Sequence, residues 1–88
     1  MDWDKLKIFY AVAQAGSFTN ASLSLNLSQS AISRQIQSLE QELKTQLFER
    51  HARGLTLTTN GEYIFKTAHE VISKLKDVET TLGDQQNK

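Results

Sequence analysis

Gln29, Ser30, Ser33, Arg34 and Gln37 bring two flat amides, two short hydroxyls and one guanidinium into a single short stretch of chain. Side chains of these types hydrogen-bond well to nucleobase edges. Glutamine meets adenine through two bonds, arginine meets guanine likewise, and serine reaches bases or phosphates. With Ile32 at the centre of a buried helix face, Ser30, Ser33, Arg34 and Gln37 fall on the other side, within roughly 100° of each other. Gln29 sits in the first turn, where side chains splay toward whatever the helix end approaches. No acid precedes Glu40 in this stretch, and Arg34 has no carboxylate three or four residues away. A solvated helix face is usually laced with Glu and Lys at pairing distance. This one lacks the acids that phosphate would repel, and its short side chains let a helix sit deep in a major groove. The plain alternative is a merely soluble face.

A second candidate is "HARG", residues 51–54, where Arg53 stands beside Gly54. On a hairpin tip next to the helix, such an arginine suits a minor groove, where it responds to width and negative potential. Arg50 is open to two roles: a phosphate contact, or an ion pair with Glu49, Glu42 or a carboxylate on a neighbouring helix. Ser17 and Thr19, with the backbone amides that open a second helix, suit a phosphate. Hydroxyls there would cap the helix in any case.

The elements that must position these groups are mostly helical. Asp2 is expected to cap a first helix with Trp3, Leu6, Phe9, Tyr10 and Ala13 on its apolar side, and Gly16 to end it in a left-handed conformation. Thr19 reads as the cap of a short second helix with Ala21 and Leu25 inward. Asn26-Leu27 makes a tight turn, and Ser28 caps a third helix running to about Leu43, whose Ile32, Ile36, Leu39 and Leu43 share one face. Two helices joined by so short a turn suggest a helix-turn-helix. Leu47, Phe48, Leu55 and Leu57 around residues 51–54 then read as two short strands, with Gly54 supplying positive φ. Thr59 and Glu62 have capping-box spacing, with Thr58 as the alternative cap.

The fourth helix is expected to run to about Leu82, where Gly83 stops it and a polar tail frays. Ile64, Ala68, Val71, Leu75, Val78 and Leu82 alternate steps of four and three, a seam of heptad period. Phe65 and Ile72 form a neighbouring stripe able to grip the domain. About 23 residues give roughly 35 Å of helix, longer than so small a domain can cover. Either the seam meets a second chain, the reading two stripes favour, or the helix folds back as core.

The 88 residues suffice for one small domain; 39% are hydrophobic, enough for a core. No segment is long and apolar enough to span a membrane, and "MDWDKLKIFY" lacks the layout of a signal peptide. Without cysteine there are neither disulfides nor cysteine-based zinc sites, which is compatible with a reducing cytoplasm. The formal net charge of zero counts against nucleic-acid binding only as a total. Locally, residues 29–39 carry Arg34 alone and residues 50–61 carry Arg50, His51 and Arg53 without an acid. His51 and His69 lie on different elements, and no nucleophile motif or paired-carboxylate site is present, so an enzyme is not expected. The stronger rival is a dimerising interaction module that binds no DNA.

"SFTNASLSLNLSQSAISRQIQSLEQEL", "LFERHARGLTLTTNGE" and the apolar fourth helix resemble the DNA-binding domain of a LysR-type transcriptional regulator. The resemblance covers nearly the whole chain and implies a mainly α fold: a winged helix-turn-helix of three helices and a two-stranded wing over 1–58, then a linker helix and frayed tail over 59–88. It implies double-stranded DNA as partner, read by Ser28, Gln29, Ser30, Ser33, Arg34 and Gln37 in the major groove and by a wing of Arg50, Arg53 and Gly54. Ser17 and Thr19 would contact phosphate. A homodimer through the seam would sit on an interrupted inverted repeat, in the bacterial cytoplasm, with no cofactor and no metal. The family's C-terminal effector-binding domain is expected outside this chain, and any small-molecule effector would act through it. Three positions depart from the family pattern. Ser30 replaces a frequent proline, Ser22 a small alanine, and Lys44-Thr45 occupy a position often held by glycine, so either Lys44 turns left-handed or the turn differs.

Overall fold

The computed structural model describes residues 2–86. The chain runs α1 (Trp3–Ala15), α2 (Phe18–Leu25), α3 (Gln29–Leu43), β1 (Phe48–His51), β2 (Gly54–Leu57) and α4 (Thr59–Gln86). Helix α1 is central, packing against α2, α3 and α4, while α2 also packs on α3. The two strands form an antiparallel hairpin in which Phe48 faces Leu57 and His51 faces Gly54. This is a winged helix-turn-helix with a long fourth helix.

The core follows from the helical spacing. Leu6, Phe9 and Val12 of α1 meet Ala21 of α2 and Ile32, Ile36 and Leu39 of α3, with Leu47, Phe48 and Ala68 closing the cluster. Phe9 and Phe48 rings lie 5.2 Å apart at a tilted angle, tying α1 to the wing. Full burial of a side chain such as Phe9 or Leu39 contributes about 1.5–3 kcal/mol. At the surface, Lys5 on α1 pairs with Glu42 near the end of α3.

Helix ends show where local chemistry decides. The Asp2 side chain accepts from Asp4 N–H, and Gly16 ends α1 at φ 73°. The cap of α2 is Ser17, whose Oγ accepts from Asn20 N–H at 3.0 Å, not Thr19; the helix begins two residues earlier than expected. Asn26 and Lys44 both end their helices left-handed, at φ 55° and 56°. In the turn between α2 and α3, Ser22 Oγ donates to Leu27 O at 2.6 Å, a bond that alanine there would lack. Of the two candidates for α4, Thr58 is the cap, its Oγ1 accepting from Gly61 N–H at 2.9 Å.

Two expectations for α4 need correction. Gly83 does not stop the helix, which runs on to Gln86; a glycine lowers helix stability but ends a helix only where the backbone turns left-handed. The polar tail expected to fray thus begins inside the helix, at residues 84–86, and Asn87 and Lys88 lie outside the described residues. Second, Ala68 is wholly buried in the chain's own core, so it offers no surface to another molecule. Ile64 is half-buried beside that core. Beyond Ala68 the seam is open: Val71, Leu75, Val78 and Leu82 are 39%, 49%, 53% and 51% exposed. The molecule measures 52 Å in its longest dimension against 26 and 21 Å in the others. No helix among the described residues is long and apolar enough to cross a membrane.

Candidate nucleic-acid interface

Helix α3 buries Ile32, Ile36 and Leu39 and turns Ser30, Arg34 and Gln37 outward, all three exposed. Among the described residues none of these three side chains forms a hydrogen bond or ion pair. Such an arrangement leaves the guanidinium fork of Arg34 and the amide of Gln37 with their full bonding capacity. The Ser28 hydroxyl accepts from Ala31 N–H at 3.1 Å, capping α3. As an acceptor in that bond it keeps its own proton to donate, and the same holds for Ser17 at the start of α2.

Two contacts join candidate reading residues of α3 to its neighbours. Gln29 Nε2 donates to Thr19 Oγ1 at 3.3 Å, which draws the first turn of α3 toward the start of α2. Of the two roles open to Arg50, the ion pair is not formed: among the described residues it pairs with no carboxylate, and the residue is exposed. Its Nη2 donates to Ser33 Oγ at 3.4 Å, and its guanidinium lies 4.9 Å from the Phe18 ring centroid. Arginine stacks readily on an aromatic face, so the base of the wing leans on both helices of the helix-turn-helix. A cleft of ≈ 600 Å³ runs between α3 and β1, lined in part by Ser33, Gln37, Glu40 and Arg50.

At the wing, Arg53 is exposed and unpaired among the described residues. Gly54 takes φ 132°, a conformation that side-chain-bearing residues rarely adopt, and so permits the tight tip. His51 Nε2 sits 2.8 Å from Thr56 Oγ1 across the hairpin, with Glu49 nearby at 3.8 Å. No cluster of metal-ligating side chains occurs among the described residues.

Glu40 is the residue that sequence reasoning missed. Its Oε2 accepts from Leu47 N–H at 2.7 Å and Phe48 N–H at 3.5 Å, so α3 holds the start of the wing through a carboxylate.

Residues 3–62 match the family model of a bacterial regulatory helix-turn-helix protein, lysR family. The chain belongs to that family. Its relatives include the HTH-type transcriptional regulators GltR of Bacillus subtilis, 34% identical over 96% of this chain, and YofA of Bacillus velezensis, 44% identical over 92%. The chain spans 28% of the length of each. Among solved structures, the BenM DBD–catB site 1 DNA complex contains a chain similar over 100% of this one and 99% of its own length, at 33% identity and a TM-score of 0.88.

Proposed function

We propose that this chain is the DNA-binding part of a bacterial LysR-type transcriptional regulator. In this reading α3 enters the major groove, with Gln29, Ser30, Ser33, Arg34 and Gln37 toward base edges and Ser28 at the helix start. Arg53 and Gly54 bring the wing to the adjacent minor groove, while Ser17 and Thr19 meet phosphate. Arg50, braced by Ser33 and the Phe18 ring at the base of the wing and still exposed, meets phosphate. Two chains pair through Val71, Leu75, Val78 and Leu82, with Ile64 at the edge, and occupy an interrupted inverted repeat. The protein acts in the cytoplasm, catalyses nothing, and any small-molecule effector is sensed outside these residues.

One observation carries the reading. Ser30, Arg34 and Gln37 on the outward face of α3 are exposed, have no acid among them and are unpartnered by side chains among the described residues, and they stand on the same domain as an arginine-tipped hairpin. The likeness to a chain solved on DNA supports it. An interaction module that dimerises without DNA would keep every activity after Arg34→Ala and Arg53→Ala and respond little to salt. Titration of a duplex at two salt concentrations distinguishes the two: affinity that falls steeply with salt and with both substitutions supports the reading, and indifference to all three rejects it.

A further inference from the structure

Glu40 lies on α3 three residues beyond Gln37, and its carboxylate is turned to the backbone of Leu47 and Phe48, at 2.7 and 3.5 Å. Its own carbonyl oxygen accepts from Thr45 N–H at 3.1 Å, across the left-handed turn at Lys44. It pairs with no lysine, arginine or histidine among the described residues. A carboxylate that accepts from main-chain N–H groups makes stronger bonds than a neutral acceptor would. The anchored residues lead into β1, and the hairpin that follows carries Arg53 at its tip.

The same segment is held from its other side by the start of α4. Thr58 Oγ1 donates to Gln46 O at 2.7 Å, Thr58 N–H to Leu47 O at 3.0 Å, and Asn60 Nδ2 to Thr45 Oγ1 at 2.8 Å. Residues 45–48 are thus gripped through N–H groups by α3 and mainly through carbonyls by the turn into α4. The wing cannot shift against α3 without breaking charge-assisted bonds.

We propose that Glu40 is a positioning residue for DNA recognition: it fixes the wing relative to α3, so that Arg34 and Arg53 engage one duplex together. The inference rests on the DNA-binding reading above. Without the carboxylate both arginines remain, but the wing must be ordered as the duplex binds, and that ordering weakens affinity.

The test is a double-mutant cycle in the full 88-residue chain, on a duplex recovered by selection from a random-sequence pool. Glu40→Ala is expected to weaken binding about tenfold, yet less than about twofold when Arg53→Ala is already present, because a wing without its arginine gains little from placement. Beside Arg34→Ala the loss stays near tenfold. Glu40→Gln, whose amide oxygen still accepts from Leu47 N–H, recovers most of the affinity and loses only about threefold. Should Glu40→Ala lack the wild-type helical spectrum, Glu40→Gln carries the cycle, and its smaller loss also vanishes beside Arg53→Ala. A purely structural role would weaken binding by the same factor in every background; that result, or no loss at all, overturns the inference. A wild-type chain that recovers no duplex overturns the DNA reading with it, whereas an additive cycle on a binding wild type removes only the role of Glu40.

Discussion

The Tyr10 hydroxyl lies 2.7 Å from Nδ1 of His69, joining α1 to α4 one residue beyond the last buried position of the long helix. Gln14 Nε2 donates to the same hydroxyl at 3.1 Å, and the Tyr10 ring stacks on Phe65 with centroids 5.0 Å apart. Tyr10 thus helps to hold α4 on α1, beside the buried Ala68 and the half-buried Ile64. Tyr10→Phe keeps the stacking and deletes both bonds. A loss of about 0.5–1.5 kcal/mol in unfolding free energy is expected by urea denaturation, with the helical spectrum unchanged.

Two glycines of α4 should respond in opposite directions to alanine. A Cβ on Gly61 would fall on the carbonyl oxygen of Leu47, a backbone atom that cannot move aside, whereas Gly83 has nothing within 4 Å. Gly61→Ala should destabilise the chain by about 2 kcal/mol or more. Gly83→Ala should stabilise it by up to about 1 kcal/mol through helix propensity. Thermal denaturation of the two variants side by side checks the pair, and a Gly61→Ala chain as stable as wild type would contradict a close approach of α4 to the Leu47 carbonyl.

The exposed seam predicts a pairing defect without a folding defect. Leu75 is 49% exposed and makes no part of the core, so Leu75→Asp should leave the fold intact while placing a charge between paired helices. Sedimentation should show a dimer becoming a monomer. Ala68→Asp would behave differently, unfolding the domain, since that position is buried in the chain itself. An unchanged dimer after Leu75→Asp would remove α4 as the interface.

Base reading should separate from grip. Arg34→Ala is expected to cost about 1–3 kcal/mol on a specific duplex and to relax preference at the base it meets. Arg53→Ala should weaken binding most on sites with an A·T-rich flank. Competition assays across single-base variants of one site measure both effects.

Much of this was legible in the chain because periodicity and caps are local. The spacing of Ile32, Ile36 and Leu39 located the buried side of α3, and with it the outward set of Ser30, Arg34 and Gln37. Asp2, Gly16 and Ser28 each act where their chemistry suggested. What failed was choice among close equivalents. Ser17 and Thr19 both carry hydroxyls, and only the extended backbone of Ser17 at φ −159° makes it the cap. Gly83 has the right identity for a stop, but nothing in its surroundings forces the chain out of the helix. The heptad seam is continuous in sequence yet divided in space, because Ala68 is buried in the core cluster and Leu75 lies exposed outside it. Glu40 was invisible for a different reason: its bond to Leu47 crosses a turn whose shape depends on Lys44 adopting a left-handed conformation.

Selection of bound duplexes from a random-sequence pool, run at two salt concentrations with the wild-type chain and Arg34→Ala, most directly tests whether α3 reads DNA. The wild-type chain should enrich an interrupted inverted repeat, with recovery falling steeply as salt rises, and Arg34→Ala should lose preference at a defined position in each half-site. Recovery of no common sequence, or of the same sequence with equal strength by both proteins, would contradict a recognition helix at residues 28–43.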